Sequence, residues 1–88
     1  KGRKYMIYKL SDDCHEIGYF KSMKDLVKRM LEDVEYFAEW YENPDKEDLE
    51  KTLNAYLEGQ FPDDDDTFIY CLCDDSCIYI EKIEIIGE

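Results

Sequence analysis

A run of apolar residues at helical spacing between positions 23 and 41 most restricts the folds open to this chain. On a wheel of 100° per residue, one broad stripe contains Met23, Leu26, Val27, Met30, Leu31, Val34, Phe37, Ala38 and Tyr41. Ser22 is a good N-cap residue, and Asp25 takes the place of Glu in a capping box. The pattern predicts one long helix over residues 22–42 with one buried side.

The shorter apolar runs predict two β-hairpins, one near each end of the chain. Residues 4–10 and 17–20 are rich in β-forming side chains and flank a Ser-Asp-Asp turn. Residues 67–73 and 77–86 flank an Asp-Asp-Ser turn in the same way. We therefore expect four strands that pair mostly antiparallel.

A second helix is predicted between the long helix and the last hairpin. Asn43 and Pro44 suit the start of a helix, and Gly59 suits its end, which gives a helix over residues 44–58. The expected order is ββααββ, an α+β fold in which two helices pack on one face of a four-stranded sheet. The whole chain, 1–88, is expected to form a single small domain because it is too short for two cores.

Length and hydropathy also restrict where the chain is expected to function. Its apolar runs are a few residues long, far below the roughly 18 that a bilayer requires. No signal peptide is predicted, since no apolar stretch follows the charged first residues. We expect a cytoplasmic protein that does not contact membranes.

Charge is distributed very unevenly along the chain. Residues 1–31 carry eight of the 11 basic residues and four acids, whereas residues 32–88 carry three basic residues and 19 acids. The formal net charge is −12. Such a field repels polyanions and attracts basic surfaces, so direct nucleic-acid binding is not expected.

Four cysteines raise the question of a metal site or disulfides. Cys71, Cys73 and Cys77 form a C-x-C-x3-C pattern in the predicted second hairpin, and Cys14 lies far upstream. Cys71 and Cys73 would lie about 6.6 Å apart along one strand, which is wide for two ligands of one zinc ion. Packed free thiols are favoured, with a Cys73–Cys77 disulfide and a structural metal as the alternatives.

No pattern in the sequence indicates catalysis or a resident cofactor. Cys14 and His15 are adjacent, and adjacent side chains in an extended loop point apart, so they do not suit a nucleophile and its base. The run of Asp63, Asp64, Asp65 and Asp66 lacks the spacing of an EF-hand loop and is more typical of a solvated loop than of a Ca²⁺ or Mg²⁺ site. We expect neither an enzyme nor a bound metal.

The polar side of the long predicted helix carries an acidic stripe. Its carboxylates recur at i, i+3, i+7 and i+10, and an aromatic pair lies beside them: Glu32, Glu35, Glu39 and Glu42 with Tyr36 and Trp40. The stripe lies near the negative end of the helix dipole, where acids are disfavoured, so it does not stabilise the helix. Aromatic anchors flanked by charges are typical of protein interfaces.

These observations favour a small acidic binding or inhibitor protein that targets a basic protein surface. The predicted contact residues are the six of the stripe together with Asp63 to Asp66. DNA mimics, anti-CRISPR proteins and nuclease immunity proteins, many from phages or mobile elements, act in this way as classes, and here the analogy depends on size and charge alone. The alternative is a structural metal- or thiol-cluster protein that uses Cys71, Cys73 and Cys77.

Overall fold

A computed structural model describes residues 3–39, 46–60, 64–73 and 77–87. The elements in chain order are β1 (Arg3–Ser11), β2 (Glu16–Phe20), α1 (Met23–Glu32), α2 (Val34–Glu39), α3 (Lys46–Leu57), α4 (Asp65–Cys73) and β3 (Tyr79–Gly87). The α+β class is as predicted. The four-stranded sheet with two helices is wrong, because the described residues form three strands and four helices.

The sheet is antiparallel, and β1 lies at its centre in the order β2-β1-β3. Strand β3 pairs with all nine residues of β1, from Arg3 opposite Gly87 to Ser11 opposite Tyr79. Strand β2 pairs with the second half of β1, over residues 8–11. Residues 3–7 and 83–87 therefore form a two-stranded ribbon that extends past β2.

The helices cover one face of the sheet because β1 alternates between buried and exposed side chains. Tyr8 and Leu10 are buried, whereas Tyr5 on the opposite face is 47% exposed. The core between sheet and helices contains Tyr8, Leu10, Met23, Leu26, Val27, Met30, Val34, Phe37, Ala38, Leu49, Leu53, Phe68, Leu72 and Ile78. Phe68 of α4 stacks on Tyr56 of α3, with ring centroids 4.0 Å apart.

The prediction of one helix over residues 22–42 is wrong because the helix is interrupted at Asp33. Asp33 has non-helical φ and ψ angles of −134° and 43°, and its backbone N–H donates to the carbonyl of Met30 at 3.2 Å. Its own carbonyl then accepts from the N–H of Tyr36 at 3.1 Å and so starts α2. Asp has a low helix propensity since its side chain competes for backbone groups. The predicted end of that helix, residues 40–42, lies outside the described residues.

The prediction of a strand over residues 67–73 and of a hairpin over 67–86 is also wrong. These residues belong to α4, in which Phe68 and Leu72 are fully buried at i, i+4 spacing. Burial of this pair against the core outweighs the β propensity of the Thr-Phe-Ile-Tyr run. The expected fourth strand is consequently a helix, and β3 becomes an edge of the sheet. The second predicted helix is observed over Lys46–Leu57.

Candidate functional site

The break at Asp33 places several carboxylates beside the start of α3. We define the acidic helical face as Glu32, Asp33, Glu35 and Glu50, which line one surface depression of about 230 Å³ together with Lys46 and Val34. All four acidic side chains are exposed. Glu32 and Glu35 belong to the predicted stripe, and Glu50 joins them from a different helix.

Lys46 is the basic side chain of this depression. Its Nζ lies 3.1 Å from Oε1 of Glu35, and both side chains are at least half exposed. The hydrogen bond and charge of Glu35, with smaller contributions from Glu50 and Glu47, raise the pKa of Lys46 above its ordinary value. Arg29 also lies 3.9 Å from Asp33, so two cationic side chains compensate part of the charge of four carboxylates and the face keeps a net negative charge.

The acidic surface continues along α3. An open groove of about 700 Å³ is lined by Glu47, Asp48, Glu50, Lys51, Asn54, Ala55, Glu58 and Gln60. Glu50 belongs to both surfaces, so the groove adjoins the acidic helical face. Across residues 32–39 and 46–60 there are eight carboxylates against Lys46 and Lys51. The unevenness seen in the sequence thus becomes an acidic α2–α3 side of the molecule.

Tyr36, predicted as an interface anchor, is half-buried and bonded inward. Its hydroxyl donates a hydrogen bond to Oδ2 of Asp12, and its ring packs edge-on against Phe37 with centroids 5.2 Å apart. Oδ1 of Asp12 accepts from the backbone N–H groups of Cys14 at 2.8 Å and His15 at 2.9 Å. The Tyr36 hydroxyl therefore ties α2 to the β1–β2 turn.

Asp12 is a buried carboxylate, although the sequence pattern predicted only that it lies in a turn. The Tyr36 hydroxyl is the largest influence on its pKa and, with the two backbone N–H groups, holds that pKa below its ordinary value, although burial acts in the opposite direction. His15 lies close as well, with Nδ1 3.3 Å from Oδ1 of Asp12. The Ser-Asp-Asp turn pattern indicated an Asp that bonds local backbone, but not its long-range partner.

The described part of the Asp63–Asp66 run holds α4 in place. Asp64 accepts from the backbone N–H of Asp66 at 3.0 Å and from the Thr67 hydroxyl at 2.8 Å. Asp65 accepts from the hydroxyls of Tyr8, at 2.9 Å, and Tyr56. Asp64 and Asp65 therefore both accept hydrogen bonds from within the chain, at the positive end of the helix dipole.

Asp66 connects α4 to the sheet. Its Oδ1 lies 2.9 Å from Nζ of Lys82 on β3. Asp64, Asp65 and Asp66 thus have partners within the chain and do not line the depression of the acidic helical face. Their contact with a partner stays a prediction. Glu39 is exposed at the end of α2. Of the other predicted contact residues, Trp40, Glu42 and Asp63 lie outside the described residues.

The cysteines of the described segments are free and in unlike surroundings. Cys71 and Cys73 lie on α4 instead of a strand, so the hairpin behind the metal- or thiol-cluster alternative is wrong. Burial raises the pKa of the half-buried Cys73 thiol to about 11, and a hydrogen bond to Asp13 raises that of Cys77. Within the described segments, no three Cys, His, Asp or Glu side chains are placed to hold a metal ion.

Comparisons with known proteins add no identification. No family model, no curated protein and no solved structure matches the chain, so its function is inferred from its own residues. Among the described helices, none has the length and apolar character needed to cross a membrane.

Proposed function

We propose that the protein is a small acidic binding module whose acidic helical face contacts a basic protein surface. The observation that carries the proposal is the depression in which Glu32, Asp33, Glu35 and Glu50 surround Lys46. Glu35 also lies in the first turn of α2, and Asp33 lies 3.9 Å from Arg29. The exposed carboxylates of this face attract a cationic surface over a Debye length of about 8–10 Å. A cytoplasmic location remains a prediction.

The two charged sides of the molecule favour a protein partner over nucleic acid. Most basic residues of the described chain lie on β1, directly after β2 and on α1. Among them, Lys21, Lys24 and Lys28 are exposed. The net charge of −12 nevertheless repels a polyanion as it approaches. The acidic side is complementary in charge to a basic groove that otherwise binds nucleic acid. DNA mimics and related inhibitors act by occupying such grooves.

Aromatic contacts would add affinity to this steering. Tyr36 is already bonded to Asp12, so Trp40 is the aromatic residue that the proposal assigns as an anchor, beside Glu39 and Glu42. Trp40→Ala should cost about 2 kcal/mol or more in binding while thermal melting stays near that of the wild type. A large fall in Tm would instead assign Trp40 to the core and remove it from the interface.

Parallel affinity capture tests the proposal and can recover the partner in the same experiment. Wild-type protein, the acidic-face variant Glu32→Gln/Glu50→Gln and a sheet control, Glu16→Gln/Glu81→Gln, would be used as baits in lysate of the source cells at low salt. Both variants remove two exposed carboxylates, so their net charges are equal. We expect a basic protein that wild type and control retain and that the acidic-face variant loses. Equal retention by the two variants would contradict the proposal.

A further inference from the structure

The half of β1 that extends past β2 has an open edge among the described residues. Strand β2 pairs with β1 from Tyr8 onward, whereas β3 pairs with β1 from Arg3 onward. Residues 3–6 are exposed and Ile7 is half-buried. Within the described chain, no strand pairs with residues 3–7 on the side that faces away from β3.

Two hydrogen bonds show which backbone groups point to this open edge. The N–H of Ile80 bonds the Cys73 thiol on α4, so it points away from β1. Residues directly opposite in antiparallel strands exchange both hydrogen bonds or neither, so Leu10, opposite Ile80, directs its N–H and C=O toward β2. The N–H of Asp12 points the same way, since it donates to the carbonyl of His15 at 3.1 Å.

The same alternation continues along β1 past the end of β2. The backbone groups of Lys4 and Met6 therefore point to the open edge, whereas those of Arg3, Tyr5 and Ile7 point to β3. The N–H and C=O of Lys4 and Met6 consequently have no neighbouring strand among the described residues. Unpaired groups of this kind are a template for one added strand.

A groove of about 480 Å³ lies along this edge. Most of its lining is apolar, and its charged side chains are both cationic: the lining residues are Tyr5, Met6, Ile7 and Ile85 with Lys4 and Lys21. Glu84 forms an exposed ion pair with Lys4 at 3.9 Å and so compensates part of this charge. The groove thus combines unpaired backbone groups, an apolar surface and a positive charge.

These features favour an extended acidic segment as the occupant. Lys4 and Lys21 attract carboxylates, and Tyr5 with Ile85 offers contact to an apolar side chain. A second copy that offered the same edge would bring a further Lys4 and Lys21 to a groove that already contains two lysines, which is unfavourable. The net charge of −12 slows the approach of an acidic segment, but within the groove the segment meets lysines and backbone groups.

We propose that the open edge of β1 binds an extended acidic segment of another protein, which adds as a strand beside residues 3–7. Its backbone bonds the N–H and C=O of Lys4 and Met6, its carboxylates contact Lys4 and Lys21, and an apolar side chain packs on Tyr5. The acidic helical face lies on α1–α3 and not on this edge, so the two binding proposals can fail independently.

Selection from a random library of displayed peptides of about ten residues tests this proposal, with the full chain as bait. Peptides would be collected that bind the wild type and Met6→Leu but not Met6→Pro. Proline removes the outward N–H of Met6 and blocks strand addition, while the hydrogen bonds between β1 and β3 remain. Met6→Leu is the matched control because it keeps that N–H. We expect enriched sequences in which Asp or Glu alternates with apolar residues.

Fluorescence anisotropy of the most enriched peptide then measures the contribution of charge. Lys4→Glu/Lys21→Glu should weaken binding about tenfold or more. The control Lys28→Glu/Lys51→Glu changes the net charge equally at exposed residues outside the groove and should keep nearly the wild-type affinity. Thermal melting of each variant identifies any loss of fold. If Met6→Pro unfolds, peptides selected on the wild type are compared on these two charge-reversed proteins.

Amide hydrogen exchange locates the added strand. The N–H groups of Lys4 and Met6 should exchange rapidly in the free protein and about tenfold or more slowly with the peptide bound, whereas β3 protects those of Tyr5 and Ile7 in both states. Enrichment of basic peptides, equal binding to folded Met6→Pro and Met6→Leu, or unchanged exchange at Lys4 and Met6 would overturn the proposal. Protection of these two amides that rises with protein concentration alone would assign the edge to a second copy and overturn it as well.

Discussion

Asp12 shows how a single acidic residue organises the helix side of this sheet. It is one of 23 acids in the chain, yet it is buried, and it joins the β1–β2 turn to α2 through Tyr36. A buried carboxylate is stable when its oxygens accept enough hydrogen bonds, and Asp12 accepts from Tyr36, Cys14 and His15. The charge of this residue is therefore structural, unlike that of the acidic helical face.

Tyr36→Phe should lower the free energy of unfolding and flatten its dependence on pH. Because the folded pKa of Asp12 lies below the ordinary value of 3.8, its charge stabilises the fold above that value. This contribution is lost as the pH falls through the folded pKa. Urea unfolding at neutral and acidic pH would measure the effect. Glu32→Gln, an exposed control, should keep the wild-type slope, and a Tyr36→Phe protein with that same slope would contradict the assignment.

Thiol labelling should distinguish the cysteines by their surroundings. Cys14 and Cys71 are exposed, whereas Cys73 is half-buried with its pKa raised to about 11. From an ordinary value of 9.0 this shift lowers the thiolate fraction roughly 100-fold, and the thiolate is the reactive form. We expect maleimide to modify Cys14 and Cys71 first and Cys73 last, with the difference abolished in urea. Labelling of Cys73 as rapid as that of Cys71 would refute this.

At the scale of the element, α4 turns an acidic run into a stabilising feature. Asp64 precedes the helix and accepts from Asp66 and Thr67, while Asp65 and Asp66 occupy the first turn. Carboxylates there interact favourably with the helix dipole and with unpaired N–H groups. The repulsion within the run is thereby offset, and α4 is attached to β1, α3 and β3.

Asp64→Ala should therefore lower Tm by a few degrees although it reduces the net negative charge. Hydrogen bonds from the Thr67 hydroxyl and the backbone N–H of Asp66 hold the pKa of Asp64 below its ordinary value, as expected of a capping carboxylate. Glu32→Ala is the matched control, since Glu32 lies at the negative end of α1 and its loss should leave Tm unchanged or slightly higher. Equal Tm values for both variants would show that Asp64 does not cap α4.

The two corrected elements show what the sequence pattern could and could not predict. The apolar stripe correctly predicted that Met23, Leu26 and Phe37 face the core, because periodicity reports burial. It could not predict the interruption at Asp33, since a single residue of low propensity does not change the period. The strand prediction for residues 67–73 failed because β propensity is weaker than tertiary burial, and the capping function of the Asp run was the missed signal.

The candidate site, like the fold, could be predicted only in part from the sequence. Glu32 and Glu35 were predicted from regular spacing on one helix, and both line the depression although the structure places them on α1 and α2. Glu50 and Lys46 come from another helix, and their approach depends on how α3 packs on α1 and α2, which no local pattern encodes. The inward role of Tyr36 depends on Asp12, 24 residues away along the chain.

At the scale of the whole molecule, the fold separates charge spatially. The sheet and α1 contain most of the basic residues, and α2 and α3 contain eight carboxylates against two lysines within residues 32–39 and 46–60. Such a field accelerates encounter with a partner of opposite charge, and salt screens this acceleration.

The association rate with the captured basic partner, measured across ionic strengths, tests the central claim most directly. Steering by the acidic helical face predicts a rate that falls steeply with salt for the wild type and for Glu16→Gln/Glu81→Gln. For Glu32→Gln/Glu50→Gln it predicts a rate about tenfold lower at low salt and a shallower salt dependence. Identical rates and salt slopes for the two variants would show that total charge, and not the acidic helical face, drives the encounter.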